Sequence, residues 1–107
     1  MNYSIFLTDD AVRDLDELFD YIILNDIEGK GEYVIEQLEK AIDGLSKNPD
    51  RGVYPKELSD IGIREYREIF FKPYRIVYRV ISAAVYVVLI ADGRRDMQTL
   101  LQRRVIQ

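Results

Sequence analysis

Arginines and tyrosines alternate along the second half of the chain. Arg64, Tyr66 and Arg67 form one group, and Tyr74, Arg75, Tyr78 and Arg79 a second. A guanidinium offers planar N–H donors that match a phosphate, and a tyrosine stacks on a base or donates a hydrogen bond. The pattern fits contact with a polyanion such as nucleic acid. It fits equally the solvated side of a sheet, where Glu65 and Glu68 would form ordinary cross-strand pairs. Gly93-Arg94-Arg95-Asp96 is a second cationic cluster, either the edge of a site or a turn whose arginines pair with Asp92. Arg103 and Arg104 read as a solvated end, with Arg103 kept as a possible target contact.

Two absences narrow the chemistry. The 107 residues contain no His and no Cys. A Ser-His-Asp triad, a Cys-His pair, a zinc site of His and Cys, and any disulfide are therefore excluded. Proton transfer would rest on Tyr, Lys or Glu, with Tyr74, Tyr78 and Glu68 as candidates. The carboxylates of residues 9–43 lack a D-x-D-x-D-G loop and read as a solvated acidic face, so no metal and no cofactor is expected.

The net charge of -4 averages two unlike halves. Residues 1–50 carry 4 Lys/Arg and 13 Asp/Glu, whereas residues 51–107 carry 11 Lys/Arg and 6 Asp/Glu. The expectation is one acidic and one basic surface on a single domain spanning 1–107. No apolar run is long enough to cross a membrane, and Met1-Asn2-Tyr3-Ser4 shows no export signal, so a cytoplasmic protein without membrane contact is expected.

The elements that must position these residues follow from periodicity. Asn2–Leu7 alternates as a strand. Thr8 is a predicted N-cap, with Asp9 and Asp10 at the positive end of the helix dipole. Val12, Leu15, Leu18, Phe19, Ile22 and Ile23 recur at helical spacing, as do Val34, Leu38, Ile42 and Leu45. Glu36–Lys40 and Asp43–Lys47 are predicted outer pairs. Asn25 to Gly31 links the two helices into a hairpin, and Pro49 to Gly62 reads as a loop. Strands are predicted at Arg64–Phe71, Tyr74–Ile81 and Val85–Ala91, joined by Lys72-Pro73 and Ser82-Ala83-Ala84 as an antiparallel meander. Met97, Leu100 and Leu101 predict a short final helix capped by Asp96. The fold class is α+β: N-terminal strand, then a helical hairpin packed on one face of a small antiparallel sheet, β-α-α-β-β-β, with a short C-terminal helix. The other sheet face is expected to be open to a partner.

Which arginines converge depends on register. If the link is Lys72-Pro73 alone, Phe71 pairs with Tyr74 and Arg67 faces away from Arg75. A link of odd length brings Arg67 to the side of Arg75 and Arg79, because a one-residue slip reverses a strand's faces. Pro73 cannot supply the positive φ of the usual two-residue turns, so a longer link or a bulge is expected.

The ordered set Ile63-Arg64-Glu65-Tyr66-Arg67-Glu68-Ile69, Pro73-Tyr74-Arg75-Ile76-Val77-Tyr78-Arg79-Val80 and Asp92-Gly93-Arg94-Arg95-Asp96-Met97 with Leu100-Leu101 and Arg103 resembles the RelE/ParE toxin superfamily. Ala11 to Tyr21, and Leu45 through Pro49 to Gly52 with Glu57-Leu58, resemble it too. The resemblance implies a toxin of a type II toxin–antitoxin module, often a plasmid stabilisation system. It implies a hetero-oligomer with a ParD- or RelB-like antitoxin that joins a DNA-binding part to a segment wrapping the toxin. In ParE-like members the target is DNA gyrase, inhibited by binding. In RelE-like members the toxin is an endoribonuclease that cuts mRNA on the ribosome.

Arg75 matches the family's sheet arginine and Arg95 the arginine after the last strand, while Arg67 falls near the first of RelE's strand basics. Ile69 falls where RelE has the second basic residue, and Leu101 where RelE-like members often carry a catalytic Tyr. The chain is therefore identified as closer to ParE-like members, inhibiting growth without being an enzyme. If it were a nuclease, Arg67, Arg75, Arg95 and Tyr78 would carry the reaction. A module that has lost toxicity is a further alternative. The target surface is expected at Arg67, Tyr74, Arg75, Arg79, Arg94, Arg95 and Arg103, and the antitoxin surface on the hairpin at Leu15, Phe19, Ile22, Leu38 and Ile42.

Overall fold

A computed structural model describes residues 2–106. The chain runs β1 (Ser4–Leu7), α1 (Asp9–Leu24), α2 (Gly31–Asp43), a 3-10 turn (Gly44–Ser46), α3 (Lys56–Ser59), β2 (Tyr66–Phe71), β3 (Tyr74–Ile81), β4 (Ala84–Asp92) and α4 (Met97–Val105). Thr8 caps α1 through its hydroxyl, which accepts from the Ala11 N–H at 3.2 Å. Asp96 caps α4 by accepting from Thr99 N–H, so both predicted caps form; each such cap is worth about 1 kcal/mol. Of the two outer pairs on α2, Glu36–Lys40 closes at 3.5 Å. Asp43 is the last residue of α2, so Asp43–Lys47 straddles the helix end.

The strands form one four-stranded sheet in the order β1-β4-β3-β2. β2, β3 and β4 are the predicted antiparallel meander, while β1 adds parallel to β4 and makes the sheet mixed. The link between β2 and β3 is Lys72-Pro73 alone, with Phe71 opposite Tyr74. This corrects the longer link expected from Pro73. Neither Lys72 nor Pro73 takes a positive φ, so the short link forms without the backbone geometry that Pro73 cannot supply.

A bulge lies instead in β4. Val77 pairs with Leu89 and Tyr78 with Val87, which leaves Val88 without a partner on β3. The extra residue shifts the alternation of β4, so Val85, Val87 and Ile90 all join one apolar layer while Leu89 and Ala91 join the other.

Both sheet faces carry an apolar layer. On one, Leu38, Ile42, Leu45 and Ala11 of the hairpin region pack on Ile69, Ile76, Tyr78 and Val87. On the other, Leu58 of α3 with Met97 and Leu101 of α4 packs on Val77, Leu89 and Ala91. The expectation of an open second face is therefore overturned: the loop predicted from Pro49 to Gly62 contains α3, and α3 and α4 together cover that face. No helix among the described residues is long and apolar enough to cross a membrane.

Candidate functional site

Register places Tyr66 opposite Arg79 and Arg67 opposite Tyr78 at one end of the β2–β3 ladder. There the Gly52–Tyr54 loop crosses the β2 edge. Val53 pairs with Glu68 through two backbone hydrogen bonds of 3.0 and 2.7 Å. The crossing builds a cleft of about 270 Å³ lined by Asp50, Tyr54, Arg64, Glu65, Arg67 and Arg79. Arg67 donates to the Gly52 carbonyl at 2.9 Å and to the Tyr54 hydroxyl at 3.3 Å, and its guanidinium lies 4.7 Å from the Tyr54 ring centre. Arg79 lies 5.6 Å from the ring centre of Tyr66. These contacts set each guanidinium over an aromatic ring.

Behind that loop Tyr78 is fully buried. Its hydroxyl donates to the Pro49 carbonyl at 2.5 Å and accepts from the Gly52 N–H at 3.1 Å. Burial pushes the hydroxyl's pKa above its ordinary value, against the pull of the Gly52 N–H. A buried hydroxyl occupied on both sides fastens the loop to the sheet and has no path to a substrate proton. That corrects Tyr78 as a proton-transfer residue. Gly52 fits only because it has no Cβ, which would stand 2.6 Å from the Tyr78 oxygen and 2.8 Å from the Glu68 carbonyl.

Arg75 is not in the cleft. It projects from the opposite face to Arg67 and is only 12% exposed. Its Nε donates to Glu68 at 2.7 Å, and its two terminal nitrogens donate to Glu57 of α3 at 2.9 and 2.8 Å. Hydrogen bonding to Arg75 holds the Glu57 carboxyl below its ordinary value. Burial pushes Glu68 up, against the pull of the same arginine. Both carboxylates raise Arg75 further. Sequence reasoning missed Glu57, although an acidic residue beside the apolar Leu58 was a usable signal.

At the other end of the sheet, Arg94 folds back on Asp92, with contacts between 2.6 and 3.2 Å. That pair depresses the Asp92 carboxyl, so Arg94 is a turn arginine. Tyr74 sits close by on β3, where burial, followed by Asp92, raises its hydroxyl. Arg95 is exposed and borders a second cleft, of about 380 Å³, together with Asp14, Glu17 and Tyr21 of α1. Arg103 is exposed on α4. Arg104, expected in a solvated end, instead donates to the Asp14 carboxylate at 2.7 and 3.1 Å and to the Val88 carbonyl at 2.7 Å. The bulge leaves Val88 without a partner on β3, and Arg104 donates to its carbonyl there.

Arg64, Arg67 and Arg79 all border this cleft, but the register sends the Arg67 and Arg79 side chains to opposite faces of the sheet, and Arg75 and Arg95 lie elsewhere. On the hairpin, Leu38, Ile42 and Ile22 are buried in the chain's own core, and Leu15 packs against it. They have little or no surface to offer a partner. Phe19 is 43% exposed and continues along α1 with exposed Val12 and Ile23. Among the described residues no group of three or more acidic side chains stands close enough to hold a metal.

The model of the family described as "ParE toxin of type II toxin-antitoxin system, parDE" matches residues 5–97. No curated protein sequence matches the chain. Among solved structures, the chain is similar to one from the chromosomal ParDE system of P. aeruginosa, at 16% identity and a TM-score of 0.67 over 84% of this chain and 95% of that one. It is similar to the free E. coli toxin RelE carrying two arginine-to-alanine changes, at 20% identity and 0.64 over 94% and 93%. It is similar also to a RelBE toxin–antitoxin complex from Mycobacterium tuberculosis, at 19% identity and 0.63 over 86% and 92%. At these identities the solved structures establish the fold.

Proposed function

Because the chain belongs to the ParE toxin family of type II toxin–antitoxin systems, we propose that it arrests growth by binding DNA gyrase in the cytoplasm and that a cognate antitoxin neutralises it. The observation that carries this reading is the state of Arg75. Cleaving RNA by 2′-OH attack needs a cation facing the pentacovalent phosphate and a base and an acid beside it. Here all three guanidinium nitrogens of the sheet arginine donate to Glu57 and Glu68. The Tyr78 hydroxyl is closed off by Pro49 and Gly52. Arg67, Arg75 and Arg95 stand in three separate places. These facts support inhibition by binding over hydrolysis.

The antitoxin surface that fits the exposed groups is the outer stripe of α1 through Val12, Phe19 and Ile23, extended by exposed Leu24 and Ile27. Such a stripe suits the apolar face of a partner segment.

The deciding experiment compares purified toxin on supercoiled DNA with gyrase and on translating ribosomes. The expected result is accumulation of gyrase–DNA cleavage complexes with intact mRNA. Cleaved mRNA with unaffected gyrase would replace this reading with the endoribonuclease, and unimpaired growth on expression without antitoxin would replace it with a non-toxic binding module.

A further inference from the structure

β1 is the outer strand of the sheet, so one of its edges meets β4 and the other faces outward. The N–H groups of Ser4 and Thr8 donate to the Ala83 and Val87 carbonyls, and Phe6 pairs with Tyr86 between them. The even-numbered residues therefore direct their backbone groups to β4, and Ile5 and Leu7 turn theirs outward. Tyr3 also turns outward, and its N–H donates to the Ser46 carbonyl at 2.8 Å. No turn, loop or cap among the described residues bonds to the N–H or carbonyl groups of Ile5 and Leu7. Natural edges are usually protected by a charge, a proline or a bulge, and Ser4-Ile5-Phe6-Leu7 carries none of them. Ile5 and Leu7 border the hairpin-side core, so Phe6 points to the other face, where it is 50% exposed. It stacks on Tyr86 with ring centres 5.4 Å apart. The α3–α4 cover rests on Val77, Leu89 and Ala91 and leaves Phe6 open.

We infer that two copies of the chain pair antiparallel through the free edges of β1, about a two-fold axis at Phe6, and join their sheets into one. What the edge offers fixes the register. Centred on Phe6, Ile5 meets Leu7 of the second copy, each such pair exchanges both backbone bonds, and every free group is used. Centred on Ile5, the pairing would need the Tyr3 N–H, which already bonds to Ser46. Centred on Leu7, it would need an extended Asp9, which is the first residue of α1. The Phe6 register sets the two phenyl rings opposite each other in a non-hydrogen-bonded pair, with Cβ atoms about 4.5–5.5 Å apart. That continues the Phe6–Tyr86 stack from one copy into the other and covers the exposed ring. On the hairpin side it sets Ile5 against Leu7, which extends the apolar layer that both already border. A patch that meets itself about a two-fold axis forms a closed dimer, and an edge this short makes a weak, exchanging one. α1 lies over β4, one strand in from the edge. The exposed Asp16, Glu17 and Asp20 of both copies would then share one side of the joined sheet, so salt should tighten the contact by screening them. The pairing does not depend on which machine the toxin poisons.

The test is sedimentation velocity of the full chain, purified without antitoxin, over a range of protein and salt concentrations. The expected result is a dimer whose fraction rises with both. Phe6→Lys is expected to weaken association by about tenfold or more. Tyr33→Lys, at an exposed position on the hairpin, is expected to leave it unchanged. The chain has no Cys, so one introduced thiol reports the register without relying on a loss. Phe6→Cys is expected to oxidise to a covalent dimer at least about tenfold faster than Tyr33→Cys. Ser4→Cys is exposed on the same strand, but it would stand roughly 13 Å from its copy and should be as slow as Tyr33→Cys. The inference is overturned if the chain stays monomeric throughout, if salt dissolves the dimer, if the dimer survives Phe6→Lys, or if Ser4→Cys cross-links as fast as Phe6→Cys. A chain that is monomeric alone and loses antitoxin capture on Phe6→Lys would assign the edge to an antitoxin strand instead.

Discussion

Arg104 and Asp14 stand 90 residues apart in sequence and are joined by hydrogen bonds of 2.7 and 3.1 Å. Around the bulge at Val88 they act as one unit. Arg104 donates to the carbonyl of Val88, the residue that the bulge leaves without a β3 partner, and Asp14 accepts from the Ile90 N–H at 3.0 Å. The pair locks α4 and α1 to the middle of β4. Arg104→Met would leave a carboxylate and a carbonyl poorly satisfied at positions largely shielded from water. The expected loss is about 3 kcal/mol, read as a fall in Tm of about 13 °C. A melt unchanged by the substitution would show that the bulge does not need this donor.

Arg75 is shared by two carboxylates whose pKa values move in opposite directions. Glu57 is lowered by its hydrogen bonds to Arg75. Its contribution to stability is present above its unfolded-state pKa and lost as pH falls through the lower folded one. Glu68 is raised by burial, so its contribution is complete below its unfolded-state pKa and lost as pH rises through the higher folded one. The two partly offset each other on acidification.

Arg75→Met would leave both carboxylates without their cation, at an expected cost of about 3–5 kcal/mol at neutral pH. Because both would then favour protonation, the variant should gain more stability than the parent between about pH 7 and about pH 5. Urea unfolding at the two pH values measures this, and a variant that loses stability on acidification would contradict it.

Tyr78→Phe removes a hydroxyl that satisfies the Pro49 carbonyl and the Gly52 N–H at once. Leaving both groups unsatisfied in the interior should cost about 1–3 kcal/mol. Growth arrest by the folded variant should persist, since the hydroxyl fastens a loop and moves no proton. Loss of toxicity with an unchanged melting curve would return Tyr78 to the chemistry.

Phe19 and Leu38 separate partner binding from stability. Phe19→Ser acts on a side chain that is 43% exposed, and it should shift stability by less than about 1 kcal/mol while clearly weakening antitoxin capture. Leu38→Ala acts on a fully buried side chain and should cost about 2–5 kcal/mol, with antitoxin affinity retained once folded. Calorimetric titration alongside thermal melts distinguishes them. High salt should weaken the complex only in part if the contact is chiefly apolar; complete dissociation at moderate salt would speak against the α1 stripe.

The sequence by itself determined the strands, the hairpin helices and the final helix with their order, but not α3, which lies in a stretch that reads as a loop. Thr8 and Asp96 announced two helix starts, the spacing of Leu38, Ile42 and Leu45 marked the inner side of the hairpin, and the absence of His and Cys restricted the chemistry. These signals are local: a cap or a period is written within a few residues and needs no distant partner. Sequence also placed the basic residues in the second half, but not their neighbours in space. Only the tertiary structure decided that Arg75 belongs to Glu57 and Glu68, that Arg104 belongs to Asp14 and a bulge, and that Arg67 and Arg79 lean on the separate rings of Tyr54 and Tyr66. The reason is physical. Whether an arginine faces solvent or a carboxylate depends on strand register, a single bulge and the crossing of a loop over an edge. A one-residue change in any of these sends the same side chain to the other face.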